Sequence, residues 1–228
     1  MLSIPPLSQL TKAGAADAQI QSNDALRQAP LIGVLALQGD FAEHEEALER
    51  VGGRAKQVRH LRDFDAIEAL IIPGGETTTI NKFDQAHDGK VFSIIGELGR
   101  SGMAIYGTCM GSIILASHIQ SSNQKCTGLM DITVRRNAYG PQRASFETAL
   151  DIKELGEQPY PAIFIRAPQI VDAGSGVQIL ARINDTIAMA RQGNLLVTTF
   201  HPEITEDSRV HQYFLAMVRS QAMRKAAG

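Results

Sequence analysis

An α/β fold, a doubly wound and mostly parallel sheet flanked by helices with an antiparallel extension, is predicted by three features of this sequence. Through the first two-thirds, short apolar runs alternate with amphipathic segments of helical length, the pattern of β-α-β crossovers. The runs are apolar at consecutive positions, as in Leu31-Ile32-Gly33-Val34-Leu35-Ala36-Leu37, so they suit strands covered on both faces. Further on the runs shorten and crowd together, which suits an antiparallel region appended to that sheet.

The first strand ends in Gln38-Gly39-Asp40, on the strand edge where ligands collect in open α/β sheets. In the helix expected from Phe41 to Val51, the apolar Phe41, Ala47, Leu48 and Val51 face one way and Glu43, Glu45, Glu46 and Glu49 mostly the other, and Gly52-Gly53 stops it. Ala55 to Val58 reads as a second strand. Ala69 to Ile72 reads as a third, entering Pro73-Gly74-Gly75-Glu76-Thr77-Thr78-Thr79. Two glycines let successive backbone N-H groups converge on an anion, although a plain tight turn accounts for the loop equally. No Gly-Lys-[Ser/Thr] ending follows, which counts against nucleotide binding.

A helix from Val91 to Leu98 leads through Gly99-Arg100-Ser101-Gly102 to a strand at Met103-Ala104-Ile105-Tyr106. Next come Gly107-Thr108-Cys109-Met110-Gly111 and an apolar run, Ser112-Ile113-Ile114-Leu115-Ala116, read as the start of a helix. Short strands are expected at 132–135, 144–150, 162–165, 178–183, 186–191 and 195–200, with Gln192-Gly193-Asn194 as a hairpin turn. The last helix, Ser208 to Arg219, buries Val210, Tyr213, Phe214, Met217 and Val218. Residues 1–30 hold Pro5, Pro6, Asp17 and Asp24 among Ala, Gln and Ser, and match neither a secretory nor an organelle-targeting pattern. They read as a poorly ordered extension, with a short helix around 15–27, ahead of a single domain at 31–228.

Length and composition bound the function. A chain of 228 residues with 44% hydrophobic and 20% charged residues can bury one large core, and a net charge of -2 gives no reason to expect nucleic acid or a membrane surface. No apolar run reaches the roughly 20 residues of a membrane helix. Two cysteines make no disulfide framework and no zinc-ligand spacing is present, so a cytoplasmic protein without a metal is expected.

Cys109 is the first candidate for chemistry. A lone cysteine in an apolar strand is usually core filler, but glycines on both sides of a strand-to-helix corner form the frame that lifts a nucleophile above the sheet edge. A helix N-terminus aimed at the sulfur favours thiolate over thiol. Cys126 lies in a polar loop without such a frame and is assigned no role.

Phe200-His201-Pro202-Glu203 follows the last expected strand, so His201 emerges on the same edge as Cys109. A glutamate two residues on points the same way in extended backbone, and Pro202 opposes a helix between them. Imidazole then takes the thiol proton while the carboxylate orients it. His44, His60, His87, His118 and His211 have no acid so placed and read as solvated or packing residues. Arg136 and Arg166 each follow a strand, where arginine either clamps a carboxylate or is a plain surface charge.

Taken together, Leu37-Gln38-Gly39-Asp40, Pro73-Gly74-Gly75-Glu76-Thr77-Thr78, Gly107-Thr108-Cys109-Met110-Gly111, Arg136-Asn137-Ala138-Tyr139-Gly140, Ser145-Phe146-Glu147, Ile165-Arg166-Ala167-Pro168 and Phe200-His201-Pro202-Glu203 resemble the glutaminase subunits of pyridoxal 5'-phosphate synthase, which are class I, triad-type glutamine amidotransferases. The resemblance covers about Leu31 to Val218 with every motif in order. It implies a flavodoxin-like sheet and a Cys109-His201-Glu203 triad that hydrolyses L-glutamine through a glutamyl thioester. It further implies an oxyanion site at the backbone N-H groups of Gly75 and Met110, and glutamine binding by Gly75, Glu76, Thr77, Arg136, Ile165 and Arg166. No cofactor is implied. The partner implied is a synthase subunit in a large hetero-oligomer, which receives the ammonia and activates the glutaminase, with Gln38 near the docking surface.

Thr77 stands where the family commonly has Ser, Pro141 where it often has Arg and Arg135 where an acid is common. Met110 and Ser112 replace smaller or apolar residues beside the cysteine. A cysteine peptidase or gamma-glutamyl hydrolase on the same fold is the alternative enzyme, and a binding module with a redox-sensitive cysteine is the alternative outside enzymes.

Overall fold

Leu31–Leu35 (β1) lies at the heart of one half of a ten-stranded sheet, paired in parallel with Arg54–Val58 (β2) and Ala69–Ile72 (β3). The structure, a computed structural model, describes residues 29–136 and 145–227, with side chains as far as Arg224. The helix expected at 15–27, the segment Asn137-Ala138-Tyr139-Gly140 and Pro141 lie outside the described residues. None of the described helices is long and apolar enough to cross a membrane.

Ala104–Thr108 (β4) joins β3 and Leu195–Thr198 (β12) joins β4, so the order β2-β1-β3-β4-β12 is parallel throughout. Helices cover both faces: Phe41–Arg50 (α1), Thr77–Ala86 (α2) and Lys90–Arg100 (α3) in the crossovers between these strands, and Arg209–Ala227 (α5) after the last of them. Successive side chains of a strand point to opposite faces, so a strand covered on both must be apolar at every position. Leu70 and Ile72 of β3 thus pack with Ile80, Val91 and Ile95 of α2 and α3. Ala69 and Ile71 pack on the other side with Leu48, Val210 and Phe214 of α1 and α5.

Beyond β12 the pairing turns antiparallel. Thr186–Gln192 (β11) hairpins onto β12 through Gly193-Asn194, and Gln178–Ile183 (β10) pairs antiparallel with β11 along most of its length, from Thr186 to Arg191. Gln169–Ala173 (β9) and Met130–Arg135 (β6) follow, and Ala116–Gln120 (β5) closes the row in parallel with β6. Ser145–Leu150 (β7) and Tyr160–Ile165 (β8) form a separate hairpin, its Phe146 and Phe164 rings stacked 4.7 Å apart.

The last helix runs on past the expected Arg219 to Ala227, and three further elements differ from the sequence expectation. The apolar run after the cysteine is a helix of six residues, Met110–Leu115 (α4), and Ala116 begins a strand. Pairing of Ala116 with Met130 and Gln120 with Arg135 buries Ala116 and Ile119, a gain that a longer helix would forgo. Strand β9 is not among those expected: Gln169 and Asp172 interrupt its apolar residues, and Ile170 is the one that is fully buried. The last expected strand ends at Thr198, and the chain bends through Thr199 and Phe200 before His201.

Candidate active site

All five parallel strands run the same way, so the loops after β1, β3, β4 and β12 open on one edge of the sheet. Register does the rest. Thr108 pairs with Thr198, and the Cys109 N-H donates to the Thr198 carbonyl at 2.8 Å, so the strands that deliver Cys109 and His201 are locked side by side at the point of delivery.

Cys109 adopts φ 46° and ψ -103°, a conformation that costs an L-residue about 1–3 kcal/mol and persists only where the surroundings enforce it. The frame glycines allow it. A β-carbon on Gly111 would lie 2.1 Å from the Ile72 carbonyl oxygen, and one on Gly107 would lie 2.5 Å from the Gly111 carbonyl carbon. Ser112 secures the turn by donating through its hydroxyl to the Cys109 carbonyl at 2.6 Å. The dipole beside the sulfur is that of a six-residue helix, smaller than the sequence expectation of a full-length one.

The His201 N-H donates to Ile163 O at 2.8 Å, which fastens this bend to β8. Its Nδ1 is 2.8 Å from Glu203 Oε1. Pro202 to Ile204 form one 3-10 turn, not the extended backbone expected, because proline at the first position of a helical turn lacks only an N-H that has no partner there. The histidine and glutamate still meet. A second carboxylate, Asp40 Oδ2, stands 3.3 Å from the same nitrogen. With Nδ1 so engaged, Nε2, buried and without another hydrogen-bond partner, is the nitrogen left for the cysteine.

Burial alone disfavours charge on the His201 ring, but hydrogen bonds with Asp40, Cys109 and Glu203 outweigh it and push its pKa up to about 12. The Asp40 carboxyl is correspondingly held below its ordinary range by its hydrogen bond to His201. Burial moves Glu203 the other way, up from its ordinary value, against the pull of the imidazole.

Gly74 ties the glycine loop to this centre. A β-carbon there would come 2.5 Å from His201 Cε1 and 3.4 Å from Cys109 Cβ, so the loop backbone rests on both side chains at once. The β1 loop presses on it in turn: Gly39, at φ 90°, leaves no space for a β-carbon, which would sit 2.1 Å from Gly74 O.

The cleft in front of Cys109 encloses about 480 Å³. Of the residues singled out from sequence, Gln38, Gly75, Glu76, Thr77, Met110, Arg136, Ile165, Arg166, Cys109 and His201 all line it, while Glu203 stands behind His201. Arg136 is braced by Thr77 Oγ1 at 3.0 Å and Gln124 Oε1 at 3.2 Å. Arg166 holds a left-handed backbone at φ 43°, and the neighbouring Ile165 carbonyl lies 3.9 Å from Cys109 Sγ. The side-chain carbonyl of Gln38 accepts a hydrogen bond from the Thr79 hydroxyl.

Sequence reasoning missed two features. Asp40 was legible only as part of a ligand-edge loop. His44 and His211, read as solvated or packing residues with no acid placed as Glu203 is for His201, are both fully buried, and His44 Nε2 is 3.4 Å from Glu203 Oε2. No local signal in the sequence marks that contact, since it depends on α1 crossing behind the β12 loop.

The architecture recurs in a solved structure described as a glutamine amidotransferase, at 43% identity and a TM-score of 0.76 over 82% of this chain and 98% of that one. The class that fold and cleft define is therefore that of the glutamine amidotransferases. Within it, the chain belongs to the SNO glutamine amidotransferase family, the match running over residues 34–220. A relative from Pelotomaculum thermopropionicum, named pyridoxal 5'-phosphate synthase subunit PdxT, is 51% identical over 184 residues, 81% of this chain and 93% of the relative. One of the same name from Carboxydothermus hydrogenoformans is 48% identical over 187 residues, 82% and 97% of the two chains.

Proposed function

We propose that this protein hydrolyses L-glutamine to L-glutamate and ammonia through Cys109, His201 and Glu203, and supplies the ammonia to a synthase subunit that makes pyridoxal 5'-phosphate. The observation that carries this reading is the meeting of a strained cysteine corner with a carboxylate-held imidazole at the head of a cleft bearing two arginines.

The raised basicity of His201 favours an imidazolium beside a Cys109 thiolate. The thiolate attacks the side-chain amide carbon of glutamine. Negative charge that develops on the amide oxygen is received by the N-H groups of Gly75 and Met110. The imidazolium passes its proton to the leaving nitrogen, ammonia departs, and a glutamyl thioester remains. His201, now neutral, takes a proton from water as that water attacks the thioester, and glutamate leaves with the thiolate restored.

Arg136 and Arg166 supply positive charge for the α-carboxylate of free glutamine, and Glu76 supplies negative charge for its ammonium. Thr77 and Ile165 shape the rest of the pocket. A peptidase would have to place a continuing chain where these charges lie, which favours the free amino acid. The printed names of the relatives support the synthase as partner. Gln38, hydrogen-bonded at the rim of the glycine loop, is placed to report docking to the oxyanion site. The working form is a cytoplasmic hetero-oligomer in which residues 31–228 act as one domain.

Copurification with the cognate synthase, followed by glutamate-release assays with and without it, tests the proposal. Activity that rises on docking and vanishes in Cys109→Ala is expected. Glutamate release that survives Cys109→Ala in the complex overturns it.

A further inference from the structure

Behind the triad the core holds a second polar group that the mechanism above does not use. Glu203 is 3% exposed and spends Oε1 on His201, yet its other oxygen, Oε2, has no hydrogen-bond partner. The nearest polar atom recorded for it is His44 Nε2 at 3.4 Å, just beyond a well-formed bond. His44 Nε2 also stands 3.1 Å from Thr108 Oγ1, and His44 Nδ1 stands 2.9 Å from His211 Nε2. Both histidines are wholly buried, and His211 Nδ1 has no partner.

The surroundings of the two rings favour one placement of their protons. Burial drives the pKa of both rings down, to about 3 for His211 and well below its ordinary value for His44, so each holds one N-H at neutral pH. Were the His44 proton on Nδ1, its Nε2 lone pair would face a carboxylate and the His211 proton would be stranded on the unpartnered Nδ1. The opposite assignment avoids both costs. His211 Nε2-H then donates to His44 Nδ1, and His44 Nε2-H donates to Thr108 Oγ1 at 3.1 Å while its positive end faces Glu203 Oε2 at 3.4 Å, a dipole contact with the carboxylate and not a second formed hydrogen bond. A neutral donor there holds the carboxylate without cancelling the charge that His201 needs.

From this geometry we infer that His44 is a positioning residue of the triad, pinning the far oxygen of Glu203 from within the core, with His211 fixing the tautomer that makes this possible. Resting on the glutaminase reading above, it extends the line Cys109, His201, Glu203 by two histidines drawn from α1 and α5. The groups that face His44 from the packed elements are Glu203, His211, Thr108 and Tyr106, whose ring meets the imidazole edge-on at 6.1 Å. None of these is a cation; the positive charges that act on the pair are the His201 imidazolium on His44 and the Arg50 guanidinium on His211, and both help to keep the two rings neutral.

The test compares His44→Phe with His44→Gln in the synthase complex. Phenylalanine keeps the ring and its packing but has no N-H. Glutamine packs less well but returns an N-H near the Nε2 position. The inference expects kcat for glutamate release to fall on the order of tenfold or more in His44→Phe with KM for glutamine little changed, and most of the loss to be recovered in His44→Gln. A packing role predicts the reverse ranking, and that result overturns the inference. Should His44→Phe fail to fold, nitrogen-15 shifts of the histidine rings in the wild-type protein decide the matter. His44 protonated on Nε2 supports it, and on Nδ1 overturns it. The glutaminase reading fails separately, by the Cys109→Ala result.

Discussion

Changing Glu203 to glutamine removes one negative charge with almost no change of size, and the consequence follows from what surrounds His201 Nδ1. Glu203 Oε1 lies 2.8 Å from that nitrogen in a buried setting, and a hydrogen bond to an ionised group of this kind contributes about 1.5–3 kcal/mol. At 1.4 kcal/mol per factor of ten, loss of that differential stabilisation of the imidazolium lowers kcat roughly 10- to 150-fold. Asp40 Oδ2, 3.3 Å from the same nitrogen, is still present in the variant. Its side chain is 38% exposed and therefore screened by water, so it supports the imidazolium less well than Glu203. It nevertheless holds the loss well short of the order of 10⁴ expected where a triad carboxylate has no companion.

Initial rates of glutamate release at saturating glutamine, measured on the complex from neutral to alkaline pH, read the effect. Asp40→Asn alone should cost less than about fivefold, the range of an exposed charge pair. Glu203→Gln with Asp40→Asn should fall below the product of the two single losses, because each carboxylate covers for the other. The reasoning is refuted if Glu203→Gln retains kcat within twofold of wild type, or if the double variant is no worse than Glu203→Gln.

Gly111→Ala puts a methyl group 2.1 Å from Ile72 O and should cost about 1–3 kcal/mol, read as a lower Tm, whereas Gly176→Ala, whose nearest neighbour is a flexible Gln192 Nε2 at 3.7 Å, should leave Tm unchanged. Arg166→Ala should raise KM for glutamine more than tenfold with a smaller change in kcat, and an unchanged KM would remove Arg166 from substrate binding. Stability should also fall in acid. An unfolded histidine takes its proton near pH 6.5 but folded His211 only near 3, so in that window the unfolded state binds more protons, and stability full above pH 6.5 drains away toward pH 3. His211 accounts for about 2 kcal/mol of that at pH 5, with His44 acting in the same direction, and urea unfolding of His211→Phe should show a flatter decline between pH 7 and 5.

The parts of the site that were legible from the chain are local. Gly107-Thr108-Cys109-Met110-Gly111 announced its own geometry, since only a backbone that tight needs glycine on both sides of a nucleophile. His201 and Glu203 are two residues apart, so any turn that lets them face one way brings them together, and the 3-10 turn does this as well as the extended backbone expected. The short fate of Ile113-Ile114-Leu115-Ala116 was not legible. An apolar run of that length suits helix and strand alike, and its division between α4 and β5 was decided by β6 lying alongside.

Sequence alone determined the strand-and-helix alternation, the cysteine corner and the His-x-Glu pair, because each rests on interactions between residues a few positions apart. Only the tertiary structure decided that Asp40 joins Glu203 on one imidazole nitrogen, and that His44 and His211, 167 residues apart, meet behind the triad. Those contacts arise where α1, α5 and the β12 loop converge on the edge of β4, and a buried polar side chain takes its partner from whatever the packing brings within 3 to 4 Å, at any distance along the chain.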